Sequence, residues 1–352
     1  MSDLSSGKVE YKRMQRERKQ QGRHKRVEYG RYGYFFIAPF FIIYLVFSLY
    51  PMLTTVYSSF FKHFFDGFDE IGPTFIGLDN YKRLFIDQAA NSKLFDTIAM
   101  NALRNTVIMW IINFIPQVVL SILLAVWFTD TRVKIKGQGA FKILTYLPNL
   151  ITAASIAALF SSLFAYQGSI TIFLRDVGII SKNFNFMESK AGTRIIVAFI
   201  NFWMWYGNTM LLMIAGILGI SPALFEAAQV DGASSRQTFW YITFPLLKPI
   251  TLYVFITSAI GGLQMYDIPA MFNYNAQNQT GNPNGASTTI IMYLQKLMQT
   301  SKNYGRASSI AMMLFILTLI LSFFFLLISR DRVEAREKRH IKKAAKLARK
   351  EA

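Results

Sequence analysis

The chain of 352 residues is 53% apolar and only 16% charged, and it carries a net charge of +18. This composition is too apolar for a typical soluble domain. Its apolar residues fall in long runs, which favour membrane-spanning helices over a single large core. The sequence contains no cysteine, which excludes disulfides, thiolate nucleophiles and cysteine-ligated metal sites.

Six apolar runs are long enough to cross a hydrocarbon core of about 30 Å at about 1.5 Å per residue. They predict an all-α integral membrane protein whose six transmembrane helices occupy residues 34–329. The charged residues 1–33 lack the short apolar core of a signal peptide, so we expect the first run to be retained as a span. The predicted spans are Tyr34–Phe61, Asn101–Phe128, Phe141–Tyr166, Thr193–Ile220, Ile250–Phe272 and Ala307–Ser329.

Basic tails flank the predicted membrane domain at residues 1–33 and 330–352. Each tail holds ten Lys or Arg and four acidic residues, so the two together supply +12 of the net charge of +18. Because cytoplasmic segments carry the excess of Lys and Arg, both termini are predicted to be cytoplasmic, which requires an even number of spans. We expect the tails to contact anionic membrane lipids and not nucleic acid, since they contain no folded nucleic-acid-binding motif.

A polar segment, residues 221–249, separates the fourth and fifth predicted spans. Ser221 is followed by proline, a pair typical of an N-cap and a first helical residue. Gly232 is expected to end this helix and Asp231 to cap a second one, which Pro245 is expected to end. The sequence therefore predicts two short helices at an angle. Counted from a cytoplasmic N-terminus, they lie on the cytoplasmic face.

This segment resembles the EAA loop of the permeases of ATP-binding-cassette (ABC) importers. The family pattern is Glu-Ala-Ala, two residues, Asp-Gly-Ala, and then a Phe and a Pro at fixed distances. The resemblance implies the type I ABC importer (MetI-like) permease fold, with the loop docking onto a separate ATPase. It implies that the glutamate anchors the loop by charge, the glycine permits its turn and the first two alanines allow close docking. The matching residues are Glu226, Ala227, Ala228, Asp231, Gly232, Ala233, Phe239 and Pro245.

The resemblance extends over most of the predicted membrane domain. FIGLDNYKRLF at Phe75–Phe85, Asn105-Thr106 and YGRASSIAMM at Tyr304–Met313 are similar to segments of sugar-type permeases, in the branch that includes the larger permease of the maltose transporter. Residues 273–304 depart from that family, because NAQNQTGNPNGASTT replaces a compact Gly-Gly-Pro turn. The resemblance therefore does not define how this predicted external loop contacts a binding protein.

The resemblance also implies a function and a set of partners. The chain is expected to be the permease subunit of an ATP-driven importer of carbohydrate, such as an oligosaccharide, and to form half of the translocation path in a bacterial plasma membrane. The implied partners are a second homologous permease, an ABC ATPase dimer, an extracellular solute-binding protein, the sugar and membrane lipids. ATP and Mg²⁺ would bind the ATPase, so no cofactor is expected in this chain.

Absent motifs support a transport subunit over an enzyme. The sequence contains no G-x4-GK[ST] phosphate-binding loop, and its three histidines are scattered, so no catalytic residue and no metal ligand is predicted. Other cargoes stay open, among them glycerol phosphate, a polyol or a peptide, although few Arg or Lys fall within the spans to hold an anion. A secondary transporter is a further alternative, but it should show mid-membrane carboxylates and inverted repeats.

Polar and small residues in the fourth and fifth spans are candidates for the substrate path. Polar side chains within spans usually face the bundle interior or a water-filled cavity. Three of them recur at i, i+4 and i+7 in the fourth span, on one helical face. Amides and hydroxyls can hydrogen-bond a sugar and an aromatic ring can stack on it, but the same residues also join packed helices. The candidates are Asn201, Trp205, Asn208, Ser258, Gly262, Gln264 and Tyr266.

Overall fold

A computed structural model describes most of the predicted membrane domain. The predicted basic tails lie outside the described residues, apart from the few that begin the first helix. The chain divides after Thr54 into two compact units. The described residues are 30–85, 98–130, 132, 136–272, 274–275 and 280–329.

The first predicted span is almost entirely helical. Helix α1 (Gly30–Tyr44) continues through a π-helical turn, Leu45–Leu49, into α2 (Tyr50–Ser59). The predicted span Tyr34–Phe61 is therefore helical except for its last two residues, where a turn and a β-strand begin. Its apolar side chains are almost all exposed, which suits a hydrocarbon environment.

The second unit contains the other helices and two short β-hairpins. In chain order, its elements are β1 (Phe61–Asp66), β2 (Asp69–Phe75), α3 (Asp79–Phe85), α4 (Ile98–Thr129), α5 (Gln138–Tyr146), α6 (Ala153–Leu163), α7 (Ser169–Asp176), α8 (Lys190–Leu218), α9 (Pro222–Val230), α10 (Ser235–Thr238), α11 (Phe244–Leu246), α12 (Lys248–Leu263), α13 (Asp267–Phe272), β3 (Tyr274–Asn275), β4 (Thr280–Gly281), α14 (Ile290–Gln299) and α15 (Tyr304–Ser329).

The helices agree with six spans. In the described part of the chain, four helices are long and apolar enough to cross a membrane, and the number rises to six if each of two bent helix pairs counts as one span. Helices α4, α8 and α15 correspond to the second, fourth and sixth predicted spans, and each begins three residues earlier than predicted. The sequence therefore locates these spans well.

The third predicted span, Phe141–Tyr166, is not a single helix. Helix α5 continues into a 3₁₀ turn, Leu147–Leu150, and this segment meets α6 at 91°. Pro148 lies in the turn and has no amide to donate. Thr152 then caps α6, because its hydroxyl accepts the amide of Ser155 at 3.3 Å. These stop and start signals override the continuous apolar run on which the prediction depended.

The fifth predicted span, Ile250–Phe272, is also interrupted. Helix α12 begins two residues earlier than predicted and ends at Leu263, and α13 begins at Asp267. Gln264 adopts a turn conformation that ends α12. Pro269 lies in the first turn of α13, where its missing amide would have no intrahelical acceptor.

Two antiparallel hairpins add a small β component that the all-α prediction missed. Strands β1 and β2 are joined by the two residues Gly67-Phe68, and Gly67 has φ +65°, the positive φ that a type II′ hairpin turn requires at its first central position. Asn80 fixes this hairpin to the preceding helix, because its Nδ2 donates to the carbonyls of Ser59 at 3.0 Å and Phe61 at 2.9 Å. Strands β3 and β4 form the second hairpin within residues 274–281.

The second and fourth spans form the centre of the second unit. Helices α4 and α8 pack along much of their length: Met109 and Ile200 belong to one buried cluster, and Ala125 and Met213 to another. Helix α8 also approaches the backbone of α5 at Gly207, where a Cβ would collide with the carbonyl of residue 145. The site residues described below are held on this framework.

Candidate functional site

The first helix of the EAA loop, α9, ends in a defined left-handed turn. Gly232 has φ +72° and its amide donates to the carbonyl of Gln229 at 3.1 Å, while the amide of Ala233 donates to the carbonyl of Ala228 at 2.9 Å. This pair of bonds is the Schellman arrangement, which favours glycine at the position after the C-cap. The predicted helix stop at Gly232 is confirmed. At the other end of α9, Ser221 is the N-cap and the proline after it begins the helix, as predicted, although the Ser221 hydroxyl makes no capping bond.

The second helix of the loop is capped by Ser234 and not, as predicted, by Asp231. The Ser234 hydroxyl accepts the amide of Gln237 at 3.3 Å, and the Gln237 side chain accepts the Ser234 amide at 2.8 Å. This is a capping box, which satisfies two amides that would otherwise be unpaired. Asp231 instead becomes the C-cap of α9, because the Gly232 turn separates it from the second helix.

Pro245 does not end the second helix, contrary to the prediction. Helix α10 continues through a π-helical turn, Phe239–Thr243, into α11, which contains Pro245 in its first turn. The amide of Phe244 donates to the carbonyl of Phe239, five residues back, so the helical path has already widened where the proline amide is missing. The bend of 62° between this segment and α12 falls after α11, at Leu247.

Most of the motif residues of the loop are exposed. Glu226, Ala227 and Gly232 face the surroundings, and a Cβ added at Gly232 would meet open space. Val230 and Tyr241, which the family pattern does not include, are 88% and 80% exposed. Ala228, by contrast, is buried, so its small side chain serves packing inside the loop. The resemblance had implied instead that this alanine lies on the docking surface.

A polar cluster that sequence reasoning missed joins the loop to the end of α4. The Arg132 guanidinium donates to the hydroxyl of Ser235 at 3.0 Å and to the carbonyl of Ala233 at 3.2 Å. Asp130 accepts the Arg132 amide at 2.9 Å and the Ser235 hydroxyl at 3.3 Å. The cluster borders a cavity of about 420 Å³, which Glu226 also lines. The end of the second span is thereby tied to the second helix of the loop.

A second cavity, of about 270 Å³, lies between α4, α8 and α12, and we call it the span cavity. Its walls combine side-chain amides, hydroxyls and aromatic rings with two glycines and a few aliphatic groups. The residues that line it are Asn113, Gln117, Asn201, Trp205, Asn208, Thr209, Leu212, Tyr253, Val254, Thr257, Ser258, Gly261, Gly262 and Met265.

Five of the seven predicted substrate-path residues line the span cavity. Gln264 and Tyr266 do not, because α12 ends at Leu263 and both residues lie beyond its last turn. The five that do are Asn201, Trp205, Asn208, Ser258 and Gly262.

Three of these five residues also have structural roles. The Ser258 hydroxyl accepts the indole N–H of Trp110 at 3.1 Å, and a Cβ at Gly262 would collide with the same indole. Asn201 Nδ2 donates to the carbonyl of Val197 in its own helix at 2.9 Å. A role in joining packed helices was the alternative for small and polar residues in spans. Gly262 has this role, because only its lack of a side chain makes room for the indole.

The second span supplies cavity residues that were not predicted. Asn113 and Gln117 lie one turn apart on α4 and are 6% and 5% exposed. Gln117 Nε2 donates to the hydroxyl of Thr209 on α8 at 2.7 Å. Their i, i+4 spacing in an apolar run is the same signal that identified the fourth-span candidates, and it could have found them.

Asn105 and Thr106, noted in the sequence, fasten the segment before α14. Asn105 Nδ2 donates to the carbonyls of Gly285 at 2.9 Å and Thr288 at 3.2 Å, and its Oδ1 accepts from Arg194 at 2.6 Å. The Thr106 hydroxyl accepts the amide of Ile290 at 3.0 Å. This part of the long 273–304 segment is therefore held by α4 and α8, although residues 276–279 at its hairpin lie outside the description.

A loop of exposed helices on a bundle of spans, with a polar cavity between three of them, defines a multi-pass membrane transport subunit. The chain belongs to the family of binding-protein-dependent transport system inner membrane components, whose family model matches residues 99–338. The resemblance to importer permeases that the EAA pattern indicated is thereby confirmed.

Relatives and a solved structure support the same assignment. The chain is similar to the lactose transport system permease protein LacF of Rhizobium radiobacter, with 27% identity over 85% of this chain and 94% of LacF. It is 30% identical to the arabinooligosaccharides transport system permease protein AraP of Bacillus subtilis, over 82% of this chain and 86% of AraP. A crystal structure of a bacterial ABC transporter involved in the import of the acidic polysaccharide alginate matches with a TM-score of 0.71 and 23% identity, over 87% of this chain and 97% of that chain. The predicted type I permease fold is confirmed.

Proposed function

We propose that this chain is the permease subunit of an ATP-driven carbohydrate importer and forms half of its translocation path. The observation that carries the cargo class is the span cavity, whose amides, hydroxyls and Trp205 ring provide the hydrogen bonds and the stacking surface that a sugar needs. The names of LacF and AraP, which refer to lactose and arabino-oligosaccharides, support the same class.

In this proposal the EAA loop docks onto a separate ABC ATPase dimer, which binds ATP and Mg²⁺. Glu226 is exposed and free to meet a partner's cation, and Ala227 and Gly232 leave room for close approach. The Arg132 cluster then passes movement of the loop to the end of α4. The chain has no phosphate-binding loop of its own, which is consistent with a partner that hydrolyses the nucleotide.

Orientation and the other partners belong to the same proposal. Both basic tails and the EAA loop would face the cytoplasm of a bacterium, with membrane lipids around the spans. A second homologous permease would complete the path, and an extracellular solute-binding protein would deliver sugar to the opposite face. On that face the hairpin β1–β2 presents Phe68, whose side chain is fully exposed.

Reconstitution of the assembled importer tests this function. The permease, its co-purifying partners and the binding protein are placed in proteoliposomes, and ATP hydrolysis and uptake are measured against a panel of saccharides. We expect one saccharide with its binding protein to stimulate hydrolysis, and Glu226→Ala to remove that stimulation without lowering the amount of inserted protein. Uptake by the chain alone, driven by an ion gradient without ATP, would instead support a secondary transporter.

A further inference from the structure

The span cavity is uncharged. Its lining, as far as the structure describes it, contains no Asp, Glu, Lys, Arg or His. A charged group inside a membrane domain is costly unless a countercharge or several hydrogen bonds compensate it. A sugar that carries a carboxylate or a phosphate would find no countercharge in this part of the path, whereas a neutral sugar would need none.

One polar atom beside the cavity has no hydrogen-bond partner in the described part of the chain. Asn113 is 6% exposed, and its Oδ1 makes no hydrogen bond to any residue that the structure describes. Its neighbour Gln117 is paired with Thr209, and Asn201 is paired with a carbonyl of its own helix. Because a buried acceptor without a donor costs free energy, such atoms are rare and call for a functional explanation.

A sugar hydroxyl supplies the missing donor. Asn113 lies on α4 and lines the span cavity together with residues of α8 and α12. We infer that the span cavity admits uncharged saccharides and that Asn113 helps to select them, with its side-chain amide hydrogen-bonded to a sugar hydroxyl. This inference rests on the proposed import of carbohydrate and adds a residue of the second span to the substrate path.

A structural role for Asn113 predicts a different outcome for the same substitution. If Asn113 only joined packed helices, Asn113→Leu would lower both thermal stability and transport. If it serves the sugar, replacing a side chain whose Oδ1 is unpaired by an apolar group of similar volume leaves the melting temperature unchanged or raises it, while transport falls. Asn80 provides the matched control, because it is 3% exposed and its Nδ2 donates to two carbonyls. Asn80→Leu is expected to lower the melting temperature.

The experiment uses the full importer in proteoliposomes, with ATP and saturating binding protein. Uptake is measured for neutral trisaccharides (arabinotriose, maltotriose and raffinose) and for the trisaccharides of guluronate and galacturonate. We expect uptake of a neutral sugar only, and a fall of about ten-fold for that sugar in Asn113→Leu, the equivalent of one lost hydrogen bond.

The outcomes separate this inference from the proposed function. Comparable uptake of a uronate trisaccharide would overturn the selection for uncharged sugars while leaving carbohydrate import intact. Unchanged neutral-sugar uptake in Asn113→Leu, or a loss of melting temperature equal to that of Asn80→Leu, would overturn the role of Asn113. Absence of ATP-driven uptake for every saccharide would contradict the proposed function itself.

Discussion

The EAA loop and the span cavity are both rich in polar residues, but they are built in opposite ways. The bonds that shape the loop join residues three to five apart, such as Ser234 with Gln237 and Ala233 with Ala228. The cavity instead depends on side chains distant in sequence, and Gln117 and Thr209, which are bonded across it, lie 92 residues apart. A local structure can be recognised from a short sequence pattern, whereas a tertiary one depends on how three helices face each other.

The comparison predicts that the loop can be damaged without damaging the membrane domain. Gly232→Pro should leave the permease inserted but reduce uptake by about ten-fold or more, because proline fixes φ near −65° and Gly232 requires φ +72°. Uptake per ATP hydrolysed and the amount in the membrane are measured together. Gly178→Pro is the control, because Gly178 has φ +79° in the turn after α7 and the substitution strains the backbone equally. This variant should transport sugar normally. Normal uptake by Gly232→Pro at normal membrane levels would refute the coupling role.

In the cavity wall, the effect of a single methyl should depend on tertiary contacts. Gly262→Ala places its Cβ in the Trp110 indole, so we expect a loss of about 1–3 kcal/mol in stability. Gly261→Ala, at the adjacent position, meets open space and should be close to neutral. Thermal unfolding of the two variants in the same detergent provides the measurement, and equal melting temperatures would contradict the close contact between Gly262 and Trp110.

Two serines test the capping assignments within the loop. Ser234→Ala removes a capping box and should cost about 1 kcal/mol, whereas Ser221→Ala removes a hydroxyl that makes no cap bond and should cost only a few tenths. Hydrogen exchange at the amides of α10 and α9 reports the local opening free energies. Greater loss of protection in Ser221→Ala would mean that the two caps had been assigned the wrong way round.

The smallest expected effect concerns the connection between the loop and α4. Arg132→Ala removes two hydrogen bonds at an exposed position, so stability should change by less than about 1 kcal/mol. Uptake per ATP should fall about two- to five-fold, since the loop would move with less effect on the second span. The exposed Arg236 of the same loop is the control, and an equal fall in Arg236→Ala would show that charge, and not this connection, is responsible.

The sequence predicted those parts of the fold that local rules determine. Long apolar runs located α4, α8 and α15, and the EAA spacing located the left-handed turn at Gly232. The breaks in the third and fifth spans were missed, because their apolar runs continue across them and only the cap at Thr152 and the turn at Gln264 mark the interruptions. Five of the seven substrate-path candidates line the span cavity, and the i, i+4 spacing of Asn113 and Gln117 would have added these two residues. The Arg132 cluster depends on which elements meet, and a single sequence does not specify that.

Helix α4 reaches every region in which the proposed transport cycle takes place. Its first turns hold the 280–290 segment through Asn105, its middle presents Asn113 to the cavity, and Asp130 follows its last residue at the EAA loop. Asn105 and Asp130 lie about 38 Å apart along such a helix, so a tilt of about 5° around its centre displaces each end by about 1.7 Å. That displacement exceeds the tolerance of a hydrogen bond. In the proposed cycle the helix would therefore act as a lever, through which a small swing at the ATPase side would alter the bonds that retain the segment at the opposite end.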